Sequence, residues 1–174
     1  MAKLPAKSFL TRVQPSYVRN IVFGIEDSLV STVGLLSGIA VGNVPTRTIL
    51  LTGLVYTLVE GFSMAMGSFL SEYSAEEYTQ KRVPPLKKSL KEGTIMFFSY
   101  FSTGFIPLAP YLFIDSTRHA FYVSVVLSLA AIFIMGAIFG RLSRINWFRN
   151  AVRVLIVGGI SVAIGITIGR LFRL

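Results

Sequence analysis

Five blocks of about 20 mostly apolar residues constrain this 174-residue chain more than any other feature. A bilayer core is about 30 Å thick and takes roughly that many helical residues to cross. The blocks fall at about Ile21–Gly42, Thr48–Ser71, Thr94–Ile114, Ala120–Gly140 and Ala151–Leu171. In hydrocarbon every backbone group must be bonded within the segment, so each block reads as a helix. The fold class is therefore all-α: an integral membrane protein of five transmembrane helices. The first two blocks are joined through Asn43-Val-Pro-Thr-Arg47 and the third and fourth through Asp115-Ser-Thr-Arg-His119. Turns that short force antiparallel neighbours. The one sizeable connection, 72–93, reads as a cytosolic loop between spans two and three. The chain thus divides into a basic N-terminal segment, 1–20, and a five-helix domain, 21–174.

Charge fixes the orientation expected for those spans. Thirteen of the 17 Lys and Arg fall on one side: Lys3, Lys7, Arg12 and Arg19; Lys81, Arg82, Lys87, Lys88 and Lys91; and Arg141, Arg144, Arg149 and Arg153. Arg47, Arg118, Arg170 and Arg173 fall on the other. By the positive-inside rule the N-terminus and the 72–93 loop face the cytoplasm and the C-terminus faces out. The formal charge of +9 thereby records insertion rather than a nucleic-acid surface, which only 14% charged residues in so oily a chain would not build. The basic N-terminus lacks an apolar stretch ending in a small-residue cleavage site, so no cleaved signal peptide is expected. Trp147, Tyr17 and Tyr73 sit where interfacial rings anchor a span. His119, in an outer turn, reads as a solvated residue.

Small residues mark close helix approaches. Span one carries Gly34-x3-Gly38-x3-Gly42, span four Gly136-x3-Gly140 and span five Gly165-x3-Gly169. Such stripes serve packing within one chain or between subunits, and the spacing leaves both open. Pro107 and Pro110 interrupt span three and are expected to free carbonyls near Gly104 and Ile106.

The chain has no cysteine, so any metal must be held by carboxylates, thioethers or the lone His. It also lacks G-x-S-x-G, a P-loop and H-E-x-x-H, and no enzyme activity and no cofactor are expected. Of the eight acids, Glu26, Asp27 and Glu60 fall inside spans, where an ionisable group costs about 2.5–3.5 kcal/mol on insertion scales and calls for a reason. Asp27 lies about 9 Å deep from the inner end of span one, and Met64 about 10 Å deep in span two, at 1.5 Å per residue. The two share a level, and Glu60 lies one turn further out on the Met64 face. Glu26 points about 100° from Asp27, so the pair is not expected to face one cavity equally; Arg19 is its expected partner. Carboxylates with a thioether favour Fe²⁺ or Mn²⁺ over Mg²⁺ or Ca²⁺. Two acids also make a proton path.

The same residues carry a family likeness. Arg19–Gly42 (RNIVFGIEDSLVSTVGLLSGIAVG) resembles the first span of the vacuolar iron transporter family, and Glu60–Ser74 (EGFSMAMGSFLSEYS) its second. Phe101–Phe113 (FSTGFIPLAPYLF) resembles its Pro-Leu-x-Pro-Tyr motif, and Val152–Phe172 its Gly-rich last span. The resemblance implies a five-span homodimer that moves Fe²⁺, and often Mn²⁺, out of the cytoplasm in exchange for protons. It places the translocation Asp on Asp27 and the translocation Met on Met64. Ser28 departs from the family's usual Gly and Ser68 from a common Glu. The 72–93 connection is shorter than the Glu-rich cytosolic metal-collecting domain of plant and fungal-type members. Glu72, Glu76 and Glu77, at i, i+4, i+5, are the remaining candidates for a metal entry site, with Glu72 and Glu76 on one face if span two extends inward. The expected partners are a divalent metal ion, protons and the lipid bilayer, in the cell membrane of a prokaryote or the vacuolar or other organelle membrane of a eukaryote. A membrane scaffold, or a transporter of another cation on the same scaffold, are the alternatives.

Overall fold

The computed structural model describes residues 14–172, so Lys3, Lys7, Arg12 and Arg173 of the charge count lie outside the described residues. Five helices follow in order: α1 Pro15–Val41, α2 Thr46–Gln80, α3 Leu86–Phe113, α4 Thr117–Leu142 and α5 Trp147–Leu171. Each is long and apolar enough to cross a membrane, as the five blocks require. The chain is an all-α integral membrane protein.

Local chemistry sets the helix ends. Pro15 opens α1, where its missing N–H costs nothing. The α1–α2 turn passes through Asn43 at φ 64°, a left-handed conformation that Asn tolerates, and then reaches Pro45. Asn146 caps α5 by accepting a hydrogen bond from the Arg149 N–H at 3.0 Å.

Two expectations are corrected. The 72–93 connection is mostly helix: α2 runs inward to Gln80 and α3 begins at Leu86, leaving only 81–85 as a turn. Polar i, i+4 positions continue the helical period beyond the apolar block, and apolarity alone marks the membrane rather than the helix end. Span three is likewise not interrupted, because α3 passes through Pro107 and Pro110 as one helix. The Ser124 hydroxyl of α4 donates to the Pro107 carbonyl at 2.6 Å, so a neighbouring helix serves a carbonyl in the proline segment.

Helix α1 is the hub and touches all four others, whereas α2 leans on α3 and, less, on α1. The glycine stripes set these distances. A Cβ on Gly165 or Gly169 would run into the Gly34 and Gly38 carbonyls, and one on Gly34 into Ser161. Across α4 and α5, a Cβ on Gly136 would lie 2.8 Å from the Ala151 Cα and one on Gly140 2.7 Å from the Trp147 Cα. All three stripes are therefore used within the chain. The end of the bundle that holds the α1–α2 and α3–α4 turns closes on Leu36, Ile49, Leu108, Tyr111 and Ala120. Outward, Ile156, Ile160, Ile164 and Ile168 repeat every four residues along α5, all exposed, forming an oily stripe for lipid.

Candidate functional site

The inner half of α1 meets α3 along a polar seam. Gly24 lets α3 approach, since a Cβ there would lie 3.1 Å from the Met96 Sδ and 3.0 Å from the Ser99 Cβ. One turn on, the Ser28 hydroxyl donates to the Tyr100 carbonyl at 2.6 Å. The Ser31 Oγ and the Tyr100 hydroxyl lie 2.9 Å apart. Gly104 of α3 sits under Thr57 of α2 and within reach of Ser28, whose Oγ a Cβ would meet at 3.1 Å. Three helices thus converge just beyond Asp27.

Asp27 is half-buried on α1, and Glu60 is half-buried on α2. Helices α1 and α2 pack on one another, and the Tyr100 hydroxyl of α3 stands 2.9 Å from the Ser31 Oγ of α1. Asp27 and Glu60 thus lie on neighbouring helices, 33 positions apart in sequence. Met64, half-buried, stands one turn inward of Glu60 on the same helix. Among the described residues no third His, Asp or Glu joins the pair in a cluster able to hold a metal ion. Two carboxylates without a third such ligand leave room for a thioether, hydroxyls or water in a coordination sphere.

Glu26 departs from expectation. It and Asp27 line one cavity of about 450 Å³ between α1, α4 and α5, together with Asn150 and Arg153. The cation acting on Glu26 is Arg153 of α5 rather than Arg19 of its own helix. Angular separation on one helix forbids a shared point, but a cavity wide enough to span 100° of helix surface admits both side chains.

At the inner end of α2, Glu72 and Glu76 do share a face, and a cation stands between them. The Lys88 ammonium of α3 lies 2.6 Å from Glu72 and 2.9 Å from Glu76. These are the only ion pairs among the described residues. Glu77 points out to solvent.

Glu92 was not foreseen. Its side chain is 0% exposed, and the Asn20 amide, itself 2% exposed, donates both to its carboxylate and to its carbonyl at 3.4 Å. The Glu92 Oε1 and the Ser89 hydroxyl, also wholly buried, have no hydrogen-bond partner. A signal existed. Gly93, Met96, Tyr100 and Gly104 repeat at helical spacing along the buried face of α3, and running that face one turn inward reaches Ser89 and Glu92. His119 is exposed, in keeping with a solvated residue.

Comparison with known proteins adds to this geometry. The sequence model of the VIT family matches residues 18–92 and 81–170, which takes in all five helices. Vacuolar iron transporter 1 of Tulipa gesneriana is 20% identical, over 84% of this chain and 83% of its own. An uncharacterized protein of Methanocaldococcus jannaschii is 28% identical over 94% of this chain and 95% of its own. Vacuolar iron transporter homolog 5 of Oryza sativa subsp. japonica is 30% identical over 91% and 81%. With five spans, an acid pair inside them and a family match along nearly the whole chain, this protein belongs to the VIT family.

Proposed function

We propose that the chain transports divalent transition metal, Fe²⁺ and Mn²⁺, out of the cytoplasm in exchange for protons. The observation that carries this reading is the placing of Asp27 and Glu60, two half-buried acids, within the spans of neighbouring helices. Insertion costs make such acids rare unless they serve a path. The names of relatives from tulip and rice, vacuolar iron transporters and their homologues, point the same way.

In this reading Asp27 supplies the anionic ligand and Met64 the soft thioether that favours a transition metal over Mg²⁺. Glu60 offers a second charge further out, and the Tyr100 hydroxyl is steadied by Ser31 at 2.9 Å. Protons replace metal on the same carboxylates on the return step, because a desolvated acid accepts either. Glu72 and Glu76 receive the ion at the cytoplasmic end once Lys88 has moved off them. The direction rests on the cation asymmetry that places the inner end of α2 in the cytoplasm. A homodimer is part of this reading. The α2 face beside Met64 carries exposed Ser63, Met66 and Gly67, and a Cβ on Gly67 would meet no atom within 4 Å, leaving that face open for a second copy.

The test is flux into proteoliposomes. Wild-type protein should carry Mn²⁺ or Fe²⁺ with an opposing proton movement, and Asp27→Ala should abolish it. Transport at the wild-type rate in that variant would overturn the assigned path, and metal flux without an internal pH change would remove the exchange.

A further inference from the structure

The α4–α5 corner is rich in cations, of which Arg153 shares a cavity with Glu26 and Asp27. No acid follows Asp115 in the sequence, yet Arg141, Arg144, Arg149 and Arg153 crowd this corner. Among the described residues neither Arg149 nor Arg153 has an ion-pair partner. Arg141 lies over the Trp147 ring, 5.0 Å from its centroid.

Arg149 and Arg153 stand one turn apart on α5 and line one cavity of about 500 Å³ with Ile145, Asn146 and Asn150. The two asparagines shape its wall and are themselves fixed. Asn146 accepts from the Arg149 N–H at 3.0 Å, and Asn150 donates to the Gly136 carbonyl at 2.8 Å. The cavity also lies at the N-terminus of α5, where the helix dipole favours negative charge. Its surroundings are those of a membrane interface: Ile145, Trp147 and Phe148 are exposed apolar side chains at the same corner.

We propose that this corner binds the phosphate group of an anionic phospholipid, with the Arg149 and Arg153 guanidiniums as its ligands. Guanidinium presents paired N–H donors that match phosphate oxygens. Free phosphate offers the same oxygens, but the exposed apolar side chains around the cavity favour a headgroup with acyl chains attached. The cation asymmetry places the corner at the cytoplasmic leaflet, where anionic lipids attract juxtamembrane Arg. Arg153 also lines the cavity that holds Glu26 and Asp27, so the bound phosphate sits one side chain away from the candidate metal path.

Trp147 is the only tryptophan in the chain and reports on this corner directly. The purified full chain in detergent is titrated with dioctanoyl phosphatidylglycerol, dioctanoyl phosphatidylcholine and inorganic phosphate while Trp147 fluorescence is followed. Phosphatidylglycerol should give a saturable change, phosphatidylcholine none, and inorganic phosphate a change only at concentrations at least about tenfold higher. Arg149→Gln and Arg153→Gln together should weaken phosphatidylglycerol binding by about tenfold or more, equal to about 1.4 kcal/mol. Arg144→Gln, an exposed cation outside the cavity, should leave it unchanged. Equal affinity in the double variant, or equal response to phosphatidylcholine, would overturn the site. An equal response to inorganic phosphate would overturn the lipid as its ligand. The readout needs no metal, so a failure of the transport reading leaves this result standing on its own.

Discussion

Asp27 and Glu60 come from two neighbouring helices within the membrane-spanning bundle, whereas Glu72 and Glu76 lie one turn apart on a single helix and share the Lys88 ammonium. Both pairs are half-buried carboxylates on or beside α2, and both concentrate negative charge. They differ in the cation at hand. Among the described residues no Lys or Arg forms a salt bridge with the inner pair, Asp27 and Glu60, whereas Lys88 bonds both acids of the outer pair, Glu72 and Glu76. Local sequence built the second pair by i, i+4 spacing, and helix packing alone built the first.

Substitutions can widen or collapse that contrast. The largest effect is expected at the inner pair, where Asp27→Asn keeps the shape but removes the charge. Mn²⁺ flux should fall to about 1% of wild type, a loss of about 2.8 kcal/mol at about 1.4 kcal/mol per decade. A rate within a few-fold of wild type would mean that the inner pair does not bind the ion.

Next comes Glu92, the one fully buried acid among the described residues, which has a neutral partner in place of a cation. Asn20→Ala removes the donor to Glu92 and should cost about 1–3 kcal/mol, because a buried acceptor is then left without a partner. Thermal unfolding in detergent should show the lowered midpoint. Replacing both residues with Leu should recover much of the loss, since an apolar pair leaves no orphaned group. If the double variant is as unstable as the single, the contact is not what the Asn20 amide contributes.

A smaller effect is expected at Glu60, the outer member of the inner pair. Glu60→Gln should slow flux by about tenfold, less than Asp27→Asn, because Asp27 and Met64 remain. Equal loss in the two variants would make the pair a single unit rather than a graded path.

The smallest change in transport belongs to the outer pair. Lys88→Gln frees Glu72 and Glu76 from their tethered cation and should tighten Mn²⁺ binding there by about tenfold, measured by calorimetry on protein carrying Asp27→Asn. Flux in the otherwise wild-type protein should change by no more than about twofold. Unchanged Mn²⁺ binding would show that the outer pair is a clamp between α2 and α3 and no metal site at all.

Much of this architecture was legible from sequence. The five apolar blocks fix five helices because lipid offers the backbone no other partner. The 1.5 Å rise gives each residue a depth along its own helix. The helical period also placed Glu72 and Glu76 on one face. The limits are equally specific. Hydropathy ends at the membrane surface, so the inward extension of α2 to Gln80 and the start of α3 at Leu86 fell inside what read as a loop. For the same reason Glu92, two residues before the apolar block of span three, read as a loop acid.

Depth, face and spacing are properties of one helix, and the sequence determined them. Which neighbour a face meets depends on how five helices share their small residues, and only the tertiary structure decided that. Glycine carbonyls of α1 admit α5 closely enough that Arg153 and Glu26 line one cavity, and Gly24 and Gly104 draw α3 against α1 so that Tyr100 meets Ser28 and Ser31. The same approach buries Glu92 against Asn20. A pair of side chains on different helices meets only where both backbones can come near, and that distance is set by residues with no side chain to show.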